Sequence, residues 1–394
     1  MLTPNLHYGE LKESYLFARI AEKTAAYRAA HPGTRLLHMG IGDVSQPLCP
    51  AVIAALHEAV EDQAHAETFH GYLPECGAPF FREAVAAHYA RRGIELAPEE
   101  VFVSGGASDE LGHILDLFDP ESPALIPEPA YPAYVDANVL SGRRIVHLPT
   151  GAAQGFLPEP GGLTDAALIY LCSPNNPTGA VLDRALLTEW VDFAVRCGAV
   201  ILFDAAYEAF ISDPALPRSI FEIEGARACA IEICSLSKTA GFTGTRLGYT
   251  VIPKELERRG LNLNAMWVRN RTTKSNGVSY ILQKGGAAVF TEAGQTQIRD
   301  TLRIYQENAR AVARTLDRLG IRYTGGKNAP YIWMRCPGQY GSWEFFDLLL
   351  QKAQIVGTPG EGFGECGEGY FRFSAFGDPA DTAEAMHRME QLFA

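Results

Sequence analysis

Six short apolar runs constrain this chain more than any other feature: Val101-Phe102-Val103, Ala124-Leu125-Ile126-Pro127, Arg144-Ile145-Val146-His147-Leu148, Leu168-Ile169-Tyr170-Leu171-Cys172, Val200-Ile201-Leu202-Phe203-Asp204 and Cys229-Ala230-Ile231-Glu232-Ile233-Cys234. Each has the length of a strand, and strands this apolar are buried on both faces, as in a parallel sheet covered by helices. Helix-length amphipathic stretches separate them, such as 183–196 after the Pro177-Thr178-Gly179 turn. The pattern predicts an α/β fold on a mainly parallel sheet. From about residue 286 it changes to long helices followed by two strand candidates, Tyr331-Ile332-Trp333-Met334 and Tyr370-Phe371-Arg372-Phe373-Ser374. That α+β layout predicts a second, smaller domain. A length of 394 residues leaves room for it. The expected division is a large domain over 46–285 and a small domain built from 1–45 with 286–394. No repeat or low-complexity linker marks the boundary.

A net charge of −12 argues against nucleic acid or an anionic membrane as partner. Eight cysteines without a C-x-x-C pair read as scattered thiols in a reducing compartment. Ten histidines show no metal-ligand spacing, so no catalytic metal is expected. The first residues lack the basic start and apolar stretch of a signal peptide, and no apolar run reaches the ~20 residues that cross a bilayer. A cytoplasmic location is expected.

The richest segment for chemistry is Ser235-Leu236-Ser237-Lys238-Thr239-Ala240-Gly241-Phe242-Thr243-Gly244-Thr245-Arg246, directly after the strand ending at Cys234. Strand ends are where α/β sheets place ligands. Ser235, Ser237 and Arg246 can hold phosphate oxygens, the glycines allow close backbone approach, and Lys238 can form a Schiff base with an aldehyde. The bland alternative is a solvated basic loop. Asp204 ends an apolar run, an expensive place for a charge without a partner. A protonated pyridine nitrogen would be such a partner, whereas a helix cap is the simpler role. Tyr207 can bond a phenolic oxygen or merely fill the core. Asn176 is presented on the Ser173-Pro174-Asn175-Asn176-Pro177-Thr178-Gly179 turn. Ser104-Gly105-Gly106-Ala107-Ser108 opens a helix, so the Ala107 and Ser108 N–H groups form a candidate anion site.

Taken in order, S-G-G-A-S, Y-P-x-Y, S-P-N-N-P-T-G, D-A-A-Y and S-x-S-K-x-x-G-x-x-G-x-R resemble the fold-type I, class I/II aminotransferases. The resemblance covers almost the whole chain. It implies an aspartate-aminotransferase-like large domain with a mainly parallel seven-stranded sheet, and pyridoxal 5′-phosphate as cofactor. Motif by motif, it implies Lys238 as the catalytic Schiff-base lysine and Asp204 on the pyridine nitrogen, with Asn176 and Tyr207 on the phenolic oxygen. Tyr131 would stack on the ring, and Ala107, Ser108, Ser235, Ser237 and Arg246 would hold the phosphate. Tyr72 would reach the phosphate of a neighbouring subunit, and Arg372 would grip the substrate α-carboxylate, a bidentate task suited to guanidinium. One match misleads: Gly362-Phe363-Gly364-Glu365-Cys366-Gly367 satisfies G-x-G-x-x-G but precedes a strand, so it is read as the flexible approach to Arg372 and not as a dinucleotide loop.

A narrower resemblance is to the diaminopimelate branch of that family. It is carried by Ser14-Tyr15-Leu16-Phe17, Met39-Gly40-Ile41-Gly42-Asp43, Phe203-Asp204-Ala205-Ala206-Tyr207 with Phe210-Ile211-Ser212-Asp213-Pro214, Pro217-Arg218-Ser219-Ile220-Phe221-Glu222-Ile223 and Arg271-Thr272-Thr273-Lys274-Ser275-Asn276-Gly277. By this resemblance Tyr15 and Gly42 contact substrate, as do Tyr131 and Asn176, while Glu75 and Asn276 recognise its distal end across a homodimer interface. The phosphate loop departs from that branch, which usually reads S-D-G-A-K; Ser108 replaces the lysine and leaves distal specificity open to another diamino or basic amino acid. The implied reaction is ping-pong transamination with glutamate/2-oxoglutarate as the second pair and tetrahydrodipicolinate as the keto-side acceptor. The rivals are a carbon–sulfur β-lyase on the same fold and a ligand-sensing module. The latter lacks a basic DNA-binding region here.

Overall fold

The computed structural model describes residues 2–11, 15–40, 42–161 and 168–393. Ser14 and Ile41, within two of the segments named above, lie outside the described residues.

Seven strands form the central sheet: β1 (Val101–Ser104), β2 (Ala124–Glu128), β3 (Ile145–Pro149), β4 (Leu168–Cys172), β5 (Val200–Asp204), β6 (Ala230–Ser235) and β7 (Gly248–Val251). Their order is β1-β7-β6-β5-β4-β2-β3. All neighbours from β6 to β3 are parallel, and β7 runs antiparallel to both β6 and β1. The six apolar runs thus become six strands. The seventh, β7, was not singled out because it is short and opens on a glycine. That glycine is required: a Cβ on Gly248 would lie 2.6 Å from the Cys234 carbonyl oxygen and 3.0 Å from Gly106 Cα. β4 and β5 are buried at every position, as expected of a parallel interior. The expectation fails at β3, whose residues are half-buried or exposed because it closes the edge of the sheet.

The helix Arg184–Cys197 shows how local sequence sets these crossovers. Asp183 caps it by accepting from the Leu186 N–H at 2.9 Å, and Gly198, at φ +70°, ends it. Its face of Leu187, Trp190, Val191 and Ala194 is buried in the core, each larger side chain contributing ~1.5–3 kcal/mol of transfer free energy.

A second sheet is antiparallel throughout: β8 (Tyr323–Gly325), β9 (Tyr331–Arg335), β10 (Thr358–Pro359) and β11 (Tyr370–Ser374), in the order β8-β9-β11-β10. Arg372 sits at its centre, opposite Trp333 on one side and Thr358 on the other. Here the structure corrects the expected flexible approach. Residues 360–367 form two packed 3₁₀ turns, in which a Cβ on Gly367 would lie 1.9 Å from the Gly360 carbonyl oxygen and one on Gly362 2.2 Å from Leu16. These glycines allow tight backbone packing.

Two hydrophobic cores result. One fills both faces of the seven-stranded sheet. The other lies under the second sheet and takes in Leu16, Ile20, Leu37 and Met39 from the N-terminal region. The 27-residue helix Glu292–Arg318 joins them. Ile298, Leu302 and Tyr305 lie in the first core, and Ala309, Val312 and Leu316 continue the same stripe into the second.

Candidate active site

Strands β1, β4, β5 and β6 point their C-terminal ends to the same edge of the sheet, since β1 and β6 both run antiparallel to β7. At that edge lies a cavity of about 620 Å³, bounded by Lys238, Asn176, Tyr207, Tyr131, Arg246 and Arg372 and walled on its far side by the helix Leu16–Ala30.

Lys238 is carried by a short helix, Leu236–Ala240. Its cap is Ser235, which accepts from the Ser237 N–H at 3.1 Å. The Nζ donates to the Gly42 carbonyl oxygen. Burial pulls the amine down to about 8, Asp43 opposes that shift, and Arg246 and Arg372 reinforce it. A lysine poised there is neutral often enough near neutral pH to act as base or nucleophile.

Asp204, only 6% exposed, sits at the end of β5. One oxygen accepts from the Ala206 N–H at 2.9 Å, which closes a local turn and caps no helix, since the next helical turn, Glu208–Phe210, starts from Tyr207; the other accepts from the Tyr134 hydroxyl at 2.5 Å. Burial raises its pKa, against these two hydrogen bonds. No cation offsets this carboxylate among the described residues, and a protonated ring nitrogen is the partner such a group lacks.

Arg372 is 1% exposed. It donates to Asn176 Oδ1 at 2.5 Å and to the Gly40 carbonyl oxygen at 2.6 Å, and its guanidinium lies 4.3 Å from the Tyr331 ring centroid. Its Nε has no partner, and among the described residues no carboxylate pairs with it. A buried, uncompensated guanidinium held by neutral acceptors suits an incoming carboxylate. The Tyr207 and Tyr331 hydroxyls meet at 2.8 Å beside it.

The anion cradle forms where β1 and β6 flank β7. Arg246, at φ +62°, donates to Ser237 Oγ and to the Thr243 carbonyl oxygen, both at 3.2 Å. Gly106, at φ +119°, makes room for it: a Cβ there would lie 2.7 Å from the guanidinium. Ala107 starts the next helix, and Ser108 Oγ lies 3.3 Å from the Tyr131 hydroxyl. Tyr15 is half-exposed; burial first, then the Tyr131 phenol, keep its own phenol well above its ordinary pKa. This donor set, the unpaired buried carboxylate and the lowered lysine together fit pyridoxal phosphate.

Gly42, Tyr131, Asn176, Tyr207, Lys238, Arg246 and Arg372 line this cavity, whereas Tyr15, Ala107, Ser108, Asp204, Ser235 and Ser237 sit beside or behind that lining, and Tyr72, Glu75 and Asn276 are apart from it within one chain. Tyr72 is 89% exposed on a separate surface. Glu75 and Asn276 lie near it, because Gly277, at φ +80°, brings its turn against residues 73–75, where a Cβ would sit 3.2 Å from the Pro74 carbonyl oxygen. Two residues in contact with the site had been given no role. Tyr134, which holds Asp204, had a legible signal in Tyr131-Pro132-Ala133-Tyr134, one helical turn from a site aromatic. Tyr331 had none, because its pairing with Tyr207 joins positions 124 residues apart.

Fold and site define a pyridoxal-phosphate-dependent transaminase. The model of the family "Aminotransferase class I and II" matches residues 34–389, and the chain belongs to that family. It is 48% identical to a Lachnospira eligens protein named LL-diaminopimelate aminotransferase, over 100% of both chains. A protein of that name from Agathobacter rectalis is 47% identical, again over 100% of both. Among solved structures, the L,L-diaminopimelate aminotransferase of Chlamydomonas reinhardtii matches with a TM-score of 0.94 at 38% identity, covering 100% of this chain and 99% of that one. A Thermus thermophilus aspartate aminotransferase mutant, at 23% identity and a TM-score of 0.88, shares the fold.

Proposed function

We propose that this protein transfers an amino group between LL-2,6-diaminopimelate and 2-oxoglutarate, with tetrahydrodipicolinate on the keto side, in lysine and cell-wall precursor synthesis. Full-length identity of 48% to a relative bearing that name carries the substrate assignment. The cavity that joins Lys238 and Arg372, with the buried Asp204 at the end of β5, supports the reaction type.

Arg372, held flat by Asn176 and Gly40, takes the substrate α-carboxylate in a bidentate grip and so fixes the Cα near Lys238. Lys238 Nζ, with its lowered pKa, accepts the Cα proton and would deliver it to the cofactor's C4′ carbon, across the nitrogen from Cα. Asp204 would keep the pyridine nitrogen protonated, Asn176 and Tyr207 would serve the phenolic oxygen, and Tyr131 would lie against the ring. Ala107, Ser108, Ser235, Ser237 and Arg246 hold the phosphate. When bound, pyridoxal phosphate supplies the conjugated electron sink for the charge left at Cα. Tyr15 and Gly42 line the substrate side, and Tyr72, Glu75 and Asn276 complete the site of a partner subunit in a homodimer. We take 46–285 as the cofactor domain and 1–45 with 286–394 as the smaller one, a division that the two cores support. Eight cysteines, none of them in a disulfide, suit the cytoplasm.

The test supplies purified, cofactor-loaded protein with LL-diaminopimelate and 2-oxoglutarate and follows glutamate, beside lysine, ornithine and aromatic amino acids as donors. Glutamate formed fastest from LL-diaminopimelate is the expected result. A preference for another donor overturns the substrate, and release of pyruvate and ammonia without glutamate overturns the transfer.

A further inference from the structure

A second cavity, of about 170 Å³, lies behind the turn that carries Lys238, on the far side from the active cavity. A single water needs only ~10–15 Å³ by such a measure, so a small polyatomic ligand fits. Ser235, Leu236 and Thr239 form one wall and the first turns of the helix Glu292–Arg318 another. Its charged lining is unbalanced: Arg92, Arg218 and Arg299 face it, with Glu208 as the one carboxylate among the lining residues. Glu208 is already paired with Arg92 at 3.0 Å. Arg218 is held through one nitrogen by the Ile211 carbonyl oxygen at 2.7 Å, and Arg299 through one by Thr296 Oγ at 2.9 Å. Both are therefore anchored by neutral acceptors, with further N–H groups to offer. Among the described residues neither Arg218 nor Arg299 forms an ion pair.

His88, on the same wall, reports the resulting field. It accepts from Arg92 at 2.7 Å, so its Nε2 carries no proton. Burial first, then Arg92, Arg91 and Arg218, push it down to about 3. Guanidiniums converging on one cavity, half-buried at Arg92 and Arg218 and exposed at Arg299, with a neutral histidine and spare planar donors, are the chemistry of a solvent-open oxyanion site. The active site makes no use of it: Arg218, in the 217–223 segment, touches none of the residues around Lys238 described above.

We infer that this cavity is a binding site for a compact dianion of phosphate size, held by Arg218 and Arg299 with Arg92 as the inner wall, and separated from the cofactor cradle by the Ser235–Thr239 turn, whose Ser235 belongs to both walls. Its occupant rests against the back of the Ser235–Thr239 wall, so the site is placed to sense or adjust the lysine turn.

Inorganic phosphate, titrated calorimetrically into the cofactor-loaded enzyme, tests this, because the cradle then already holds the cofactor's phosphate. One saturable site per chain is expected. Arg218→Met and Arg299→Met should each weaken it about tenfold or more, with cofactor absorbance and basal transamination unchanged. Arg218→Lys should retain part of the affinity, whereas Arg372→Met should leave it intact. Absence of saturable binding overturns the inference. So does binding that survives the Arg218→Met, Arg299→Met double variant, or binding lost in Arg372→Met, which would place the ion in the active cavity.

Discussion

Replacing Asp204 with asparagine separates what the carboxylate does for folding from what it does for the cofactor. The amide is isosteric. Its oxygen still accepts from the Ala206 N–H, and its nitrogen can meet the Tyr134 hydroxyl. Local packing therefore survives, and only the charge is lost. In the cofactor-free protein that charge is a burden. Burial raises the Asp204 pKa, so the native state favours the protonated acid and loses stability as pH rises through the folded pKa. At pH 8 the cofactor-free variant should melt at or above the wild-type temperature. With cofactor the sign reverses. A carboxylate on a protonated ring nitrogen makes a charged hydrogen bond, typically ~1.5–3 kcal/mol, which is roughly 10- to 150-fold in cofactor affinity. The ring also loses its positive nitrogen in the step that stabilises charge, and removing one such electrostatic partner costs about 10²–10³ in turnover. Differential scanning fluorimetry without cofactor, a cofactor titration and the glutamate assay make the three measurements. Near-normal turnover, or a cofactor-free variant several degrees less stable, would make Asp204 a structural turn residue and sink the reasoning.

Two further outcomes follow from the same geometry. A chain carrying Tyr72→Ala and Glu75→Ala, mixed equally with a Lys238→Ala chain, should regain roughly a quarter of wild-type activity, because half the dimers are hybrids with one working site of two. No recovery despite subunit exchange, followed by a tag, rejects shared sites. Glu232 is fully buried within β6 and pushed up to about 7 by that burial, against hydrogen bonds from Tyr89, Ser219 at 2.7 Å and the Ile220 N–H at 2.9 Å. Its folded pKa exceeds its unfolded one, so the native state holds an extra proton between about pH 4.5 and 7, and stability falls there by up to ~1.4 kcal/mol per pH unit. Glu232→Gln should flatten urea-melt stability across that window, and an unchanged slope refutes the proton's presence.

The large sheet was legible because burial on both faces leaves a one-dimensional trace: a strand such as 200–204 needs apolar side chains up and down, and nothing else in a chain of this kind does. β7 left a fainter trace, since its defining residue, Gly248, is required by backbone contacts with Cys234 and Gly106, two segments distant in sequence. The G-x-G-x-x-G segment was legible as non-nucleotide by its position before a strand, yet its packing was not. Glycines look alike in sequence whether they free a loop or allow two backbones to touch, as Gly360 and Gly367 do.

The candidate site divides along the same line. Lys238, Asp204, Asn176 and Arg246 each follow a strand or sit in a turn with its own local signature, and the sheet gathers them at one edge. Tyr331 and Arg372 come from the other sheet, and what they do depends on how that sheet meets the first. Arg372 is restrained by Asn176, in the turn after β4, and by Gly40 near the N-terminal helix, so two distant stretches of chain position this guanidinium of β11. The same holds for the arginine-lined cavity. Arg92, Arg218 and Arg299 are separated by 126 and 81 positions, and no spacing rule connects them. Their convergence exists only because the helix Glu292–Arg318 crosses behind the lysine turn on its way from one core to the other. That helix is laid down by the apolar stripe from Ile298 to Leu316, so residues chosen for packing also bring Arg299 to the reverse side of the active site.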